Sequence, residues 1–328
     1  MSNNAAIHFD VFNGDADGIC ALIQLRKNTP LDSTLITGVK RDIQLLKQVC
    51  DKENVASVCA LDISMEKNQQ ALTTLLQRNI STFYCDHHRT GTVPESEKLT
   101  TCLDTSPEIC TSLLINNYIG EAQYLWACTG AFGDNLIVQG TALAKKYDLK
   151  QVDIDFLIEL GTLINYNGYG SAIDDLHIHP KALFQTLMLS QSPFDLRDDK
   201  DSVFYQLKNG FDQDWQQVKK IKPFHNSARV EVYQLPDHAW ARRISGTFGN
   251  WLANQTPDKA VAVITSNPNA DTYTVSVRSP LNRREGADEV CSQFPSGGGR
   301  KAAAGINALP QQQISVFIDA MQSQFAAE

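Results

Sequence analysis

The 328-residue sequence has no apolar run of about 18 residues, so no membrane-crossing helix is expected. Its opening stretch, MSNNAAIHFD, has neither a basic region nor an apolar signal core. Secretion is not expected, and the reading is a cytoplasmic protein. None of the eight cysteines forms a C-x-x-C pair; they read as buried free thiols in a reducing compartment. Basic residues are also scarce, 29 against 37 acidic ones, for a net charge of −8. That argues against tight nonspecific binding along a duplex, where many phosphates must be neutralised, but not against a small phosphate-bearing ligand. No internal repeat or low-complexity tract is present. What remains is an ordinary globular composition, 42% hydrophobic and 20% charged, long enough for two domains.

The first half alternates between two periods. AIHFDVF reads as a strand and Ile19 to Lys27 as a helix; STLITG is a strand, and RDIQLLKQVC has Ile43, Leu46 and Val49 at helical spacing. VASVCALDI is a strand ending in Asp62. Ser64 then reads as the N-cap of a helix with Glu66 in its first turn. ISTFYCDHH is a strand ending in Asp86, His87 and His88. Such βαβ units predict an α/β domain with a mainly parallel, doubly wound sheet. Helices dominate from about residue 110, separated by TGAFGDN and NYNGYGSAIDD, which read as Gly- and Asn-rich loops. From about residue 229 strands return: RVEVYQL, KAVAVITS and TYTVSVRS, the last two joined by the turn-forming NPNAD. SGGGRKAAAGI reads as a Gly-rich loop. The expected boundaries are a catalytic domain at 1–195, helical linkers at 196–226, and a smaller mixed α/β domain at 227–328, with a cleft between the two domains.

Acidic residues and histidines gather at strand ends: Asp15 and Asp17 in FNGDADGIC, Asp62, Asp86-His87-His88, and Asp134 in the loop FGDN. In a doubly wound sheet these ends share one edge, where ligands bind. With the backbone extended, Asn13, Asp15 and Asp17 would share a face, the two carboxylates roughly 6.5 Å apart at Cα. Two divalent ions about 3.5–4 Å apart fit between such groups and relieve their repulsion. Oxygen and imidazole ligands without thiolate favour Mn²⁺ or Mg²⁺ over structural zinc.

These motifs, in this order, resemble those of the DHH-superfamily phosphoesterases, in the two-domain branch with RecJ-like exonucleases and nano-RNases. GDADG, the Asp62 of ALDIS, DHH and GDN match the four catalytic motifs, and GGGRKAAAG at 297–305 matches the signature of the associated C-terminal domain. The resemblance implies that Asp15 holds one metal and Asp17 the other, that Asp62 bridges them, and that His87 and Asp134 complete the ligands of the second metal. His88 would contact the scissile phosphate or protonate the leaving group, and Asp86 would orient its neighbours. Arg278, Gly297, Gly298, Gly299 and Arg300 would grip a substrate phosphate.

The chain departs from that pattern at Asn13, where many relatives have His or Asp; a neutral amide there predicts a loosely held metal at Asp15. Arg300 also stands where a His is usual. The pairs His177/His179 and Tyr166/Tyr169 read mainly as loop and packing residues, with metal binding and base stacking as the respective alternatives. Thr111 and Ser112 read as a helix start. The expected function is a metal-dependent phosphodiesterase (EC 3.1) using two divalent ions, Mn²⁺ first and Mg²⁺ second. It would cut short single-stranded oligonucleotides or dinucleotides to mononucleotides. The acidic charge and the lack of a further domain after Glu328 are read as favouring a short substrate. Alternatives are a 3′ or 5′ exonuclease on longer single strands, a pyrophosphatase or polyphosphatase, and a non-catalytic nucleotide-binding protein. Whether the chain forms a homodimer stays open.

Overall fold

The computed structural model describes residues 6–268 and 271–326. Met1–Ala5 of the opening stretch, and Asn269 and Ala270 of the expected NPNAD turn, lie outside the described residues. Packing divides the chain into two units: residues up to Gly168 with Ala172–Lys208, and Tyr169–Ser171 with Asn209 onward. No helix among the described residues is long and apolar enough to cross a membrane.

In the first unit, strand β1 (Ile7–Phe12) sends alternate side chains to opposite faces, as the two-residue period requires. Phe9 and Val11 join one core with Val58, Ala60 and Tyr84. On the other face Phe12 packs against Phe184, ring centroids 5.5 Å apart. There Asp10 receives Arg26 Nε at 2.8 Å, a second Arg26 nitrogen, and the Ser33 hydroxyl at 2.6 Å. The chain continues through α1 (Ala16–Asn28), β2 (Thr34–Ile36), α2 (Lys47–Cys50), β3 (Val55–Leu61), α3 (Met65–Gln77), β4 (Ser81–Asp86) and β5 (Leu99–Leu103). All five strands run parallel in the order β2-β1-β3-β4-β5. Their carboxyl ends therefore share one edge. Helices α4 (Thr111–Tyr118), α5 (Tyr124–Gly133), α6 (Ile137–Lys146), α7 (Gln151–Gly168), α8 (Pro180–Leu189) and α9 (Asp195–Asp198) come next, and α10 (Val203–Val218) runs from the first unit into the second.

Four local expectations change. The helix expected over 41–50 forms only as α2, because Asn68 takes the backbone groups before it: its Nδ2 donates to Ile43 O at 2.6 Å and its Oδ1 accepts from Leu46 N at 3.2 Å. Ser64 precedes α3, but its hydroxyl donates to Arg89 O; Asp86 Oδ2 receives the first helical N–H, that of Met65, at 3.4 Å. The glycines of TGAFG lie inside α5, where they allow close packing. A Cβ on Gly133 would stand 2.3 Å from Ala16 Cβ, and one on Gly130 would stand 2.1 Å from Ser112 Oγ. NYNG completes α7 rather than opening a loop.

The second unit contains β6 (His225–Asn226), β7 (Val230–Leu235), α11 (Ala239–Gln255), β8 (Ala260–Ser266), β9 (Thr272–Arg278), α12 (Ala287–Cys291), β10 (Gly297–Gly299), β11 (Ala303–Pro310) and α13 (Ile314–Gln324). The strand order is β10-β11-β9-β8-β7-β6; β7 and β8 are parallel across α11 and the other pairs antiparallel. Val232, Ala262, Ile264, Val275 and Val277 close a core with Val290, Phe317 and Met321 from α12 and α13. The GGG stretch is a strand, not a loop. A Cβ on Gly297 would stand 1.8 Å from Cys291 O, so only glycine lets β10 pass there. Arg300 and Ala303 exchange backbone hydrogen bonds of 2.9 and 3.2 Å and close the hairpin.

Candidate metal centre

The carboxyl edge of the parallel sheet carries the centre. β1 stops at Phe12 and Asp15 is the N-cap of α1, its Oδ1 accepting from Gly18 N at 3.1 Å. Asp17 consequently lies in the first helical turn, and the extended backbone expected through Asn13, Asp15 and Asp17 does not occur. The first two N–H groups of α4, those of Thr111 and Ser112, donate to the Asp17 carboxylate at 2.8 and 2.7 Å. Thr111 and Ser112 do start a helix, as expected, and they also brace this group.

Asp62 follows β3 with φ +58°, a left-handed conformation that Asp tolerates better than most side chains. Its Oδ1 accepts from the Thr111 hydroxyl at 3.1 Å. Past the end of β4, His87 Nδ1 lies 2.8 Å from the carbonyl of Ile109. A carbonyl only accepts, so Nδ1 carries the proton and Nε2 is left to ligate. Nε2 stands 3.4 Å from Asp62, 3.6 Å from Asp17 and 4.0 Å from Asp134, which follows the last turn of α5. His88 Nδ1 donates to Asp86 Oδ1 at 2.8 Å and lies 3.8 Å from Asp62. Asp86 thus orients His88, while His87 is oriented by a main-chain carbonyl.

The electrostatics match a cation site. Burial first, and then the Asp62 carboxylate, push the Asp17 carboxyl up to about 8, outweighing the His87 imidazole that favours its charged form. Burial, with Asp15 next, also raises Asp62 well above the carboxylate range. Burial would raise Asp86 too, but the His88 imidazole outweighs it and holds Asp86 below its ordinary value. Asp62, His87 and His88 each offer a ligand atom within 4.8 Å of the others'. Buried carboxylates that resist ionisation, beside an imidazole nitrogen aimed at them, fit a divalent cation with oxygen and nitrogen ligands.

Asn13, expected as an uncertain ligand, is buried with its amide engaged at both ends. Nδ2 donates to Lys40 O at 3.2 Å and Oδ1 accepts from Asp15 N at 3.3 Å. Lys40 was not foreseen. Its ammonium contacts Asp15, lies 3.0 Å from Asn165 Oδ1 and stands 3.8 Å from Asp134. Burial would raise the Asp15 carboxyl, yet Lys40 outweighs burial and lowers it. His177 meets the Tyr166 hydroxyl at 2.8 Å, and His179 caps α8 by accepting from Lys181 N. Tyr166 and Tyr169 are buried.

The remaining expected residues lie in the second unit. The Arg278 guanidinium meets Asn250 Oδ1 at 2.6 Å, Val277 O at 3.1 Å, Gly246 O at 3.4 Å and the Tyr169 hydroxyl at 3.5 Å. Among the described residues these partners are all neutral. Gly298 lies mid-strand in β10, where an added Cβ would meet nothing within 4 Å.

Residues 227–327 match the DHHA1 domain family. That stretch, about a third of the chain, is similar to DHHA1 domains. The chain's fold is similar to those of several solved structures. Over 98% of its length it resembles a DHH-domain protein described as a member of the s1p family of ribosomal proteins, at 12% identity, TM-score 0.59 and 86% of that chain. Over the same share it resembles exonuclease RecJ bound to manganese, at 16% identity, TM-score 0.57 and 91% of that chain. RecJ in complex with Mn²⁺ from Thermus thermophilus gives 16% identity and TM-score 0.59, with 52% of that chain covered. No curated protein sequence matches the chain. β7 to α13, with the glycine hairpin, fall inside the matched residues.

Proposed function

We propose that this chain is a divalent-metal-dependent phosphodiesterase that hydrolyses short oligonucleotides or dinucleotides to mononucleotides. One observation carries the reading: a buried imidazole nitrogen, its tautomer set by Ile109, within 4.0 Å of three carboxylates. Asp17, Asp62, His87 and Asp134 are the residues that would hold the ion, Mn²⁺ or Mg²⁺. When bound, such an ion supplies a hydroxide near neutral pH and neutralises charge on phosphoryl oxygens.

The protein's own contributions are positional. Ile109 O keeps the proton of His87 on Nδ1. Asp86 holds His88 Nδ1 at 2.8 Å and fixes the ring, which suits a proton donor to a leaving alkoxide. His88 is partly exposed, as a group that meets substrate must be. In the DHHA1-like stretch, Arg278 is held by neutral acceptors, so its charge is available to a phosphate; Gly297–Gly299 and Arg300 are proposed to share that task.

The net charge of −8 supports a short substrate over a long strand. The likeness to RecJ, an exonuclease, favours a second reading, digestion of longer single strands. Incubation with Mn²⁺ and equal concentrations of a dinucleotide, a long single strand and pyrophosphate separates them at one salt concentration. The expected result is fastest release of mononucleotides from the dinucleotide, with none from an Asp17→Asn/His87→Ala variant. Comparable turnover of the long strand would favour the exonuclease reading, and no Mn²⁺-dependent diester cleavage would defeat both.

A further inference from the structure

Lys40 occupies a prepared seat. Its backbone is fixed at both ends: its N–H donates to Gly168 O at 2.8 Å and its carbonyl accepts from Asn13 Nδ2 at 3.2 Å. Its ammonium reaches three acceptors from three distant parts of the chain, Asp15, Asn165 and Asp134. Asn165 is buried within α7 and presents a neutral oxygen, suited to an ammonium and a weak partner for a divalent ion.

Asn13 belongs to the same arrangement. It is the residue at which the acidic stretch has an amide rather than an ionisable side chain. That amide does not turn outward as a ligand; it holds the Lys40 carbonyl with one end and the Asp15 N–H with the other. A carboxylate at that position could accept from Asp15 N but could not donate to Lys40 O. The amide and the lysine are therefore chemically matched.

The four carboxylates divide into two groups. Asp17 and Asp62 face His87, Asp15 faces Lys40, and Asp134 lies within 4.0 Å of both cationic positions. Two divalent ions in such a centre would sit about 3.5–4 Å apart with carboxylates between them. The Lys40 ammonium already stands where carboxylate oxygens of Asp15 and Asp134 would meet one of them. A third cation at that spacing would be repelled rather than bound.

We propose that Lys40 is a built-in replacement for one of two divalent ions. The chain holds a single divalent ion, at Asp17, Asp62, His87 and Asp134, and the ammonium supplies the positive charge at Asp15. The inference rests on the metal-dependent reading above and revises the expectation of two ions with a weak one near Asn13. The position near Asn13 is filled by the protein itself.

Counting ions tests this without any turnover assay. Full-length protein stripped with a chelator is dialysed to equilibrium against Mn²⁺, its bound manganese measured by elemental analysis, and its spectrum recorded by electron paramagnetic resonance. The expected wild-type result is one ion per chain with the signal of an isolated Mn²⁺. Lys40→Met, shown to fold by circular dichroism, is expected to take up two ions and show the signal of a coupled pair. Two ions per wild-type chain would overturn the inference and leave the metal-dependent reading intact. A folded Lys40→Met variant that still binds one ion would overturn it as well. No bound ion in the wild type would remove both.

Discussion

β1 and the turn after it bear two carboxylates that each face one cation, and the two pairs are built differently. Asp10 meets Arg26 through two guanidinium nitrogens, with a serine hydroxyl added, and the two side chains are 1% and 9% exposed. Asp15 meets Lys40 through one nitrogen, and Lys40 is 22% exposed. A planar fork fixed on both oxygens defines a geometry, whereas an ammonium on a flexible stem is a point charge that a metal ion could replace. Asp10 is on the strand, in the core, and Asp15 is on the ligand edge. The difference teaches that pairing a buried carboxylate can serve architecture at one position and leave a site adjustable five residues later.

The largest expected effect separates these pairs. Arg26→Met leaves Asp10 buried without its partner and is expected to cost about 3–5 kcal/mol of stability. Lys40→Met, measured with Mn²⁺ present, is expected to cost no more than about 1 kcal/mol, because an ion takes the vacated charge. Urea unfolding of both variants in Mn²⁺ checks this, and equal losses would break the comparison.

A smaller effect is expected at the second imidazole. Asp86→Asn keeps the shape but removes the charge that orients His88, and turnover should fall about 10- to 100-fold. The number of bound ions should stay unchanged, because His87 is oriented by Ile109. Loss of manganese in this variant, measured by elemental analysis, would show that Asp86 supports the ion rather than the proton transfer.

The last effect is a pH dependence of the metal-free protein. Asp17 has its carboxyl raised from 3.8 to about 8. A group raised on folding contributes stability that is fully present below its unfolded value and is lost as pH rises through the folded one. Melting temperatures of stripped protein are therefore expected to fall between pH 4 and pH 8, and Mn²⁺ should flatten that decline. A metal-free profile that is flat or rises across this window would contradict the assignment.

How much of this was legible in the sequence depends on how local each feature is. The strands β1, β3 and β4 announce themselves as apolar runs, and each ends at residues that enter the centre, so the parallel sheet and most of its acidic edge could be read directly. β5 has the composition LTTCL and half-exposed residues, and offers little contrast between its faces. Lys40 and Asn165 could not be found, because Lys40 reaches Asp15 from 25 residues away, Asn165 reaches Lys40 from 125, and neither carries a local signal. Asp15 did carry one. Aspartate is a preferred N-cap, and reading it so would have placed Asp17 in a helix rather than on a strand. The glycines of α5, and Gly297 and Gly299 of β10, misled for a common reason: each is required by a neighbouring segment packed against it, which composition cannot show.

The segment from Ile109 to Ser112 touches three of the four proposed ligands. The Ile109 carbonyl meets His87, the Thr111 and Ser112 N–H groups meet Asp17, and the Thr111 hydroxyl meets Asp62. Three of these four contacts are made by the main chain. Side chains at Ile109 and Ser112 could therefore drift through evolution without disturbing those bonds. Chain length could not: one residue inserted into the first turn of α4 would rotate the rest of that helix by about 100°. This part of the centre is constrained by spacing rather than by residue identity, so insertions and deletions would harm it more than substitutions.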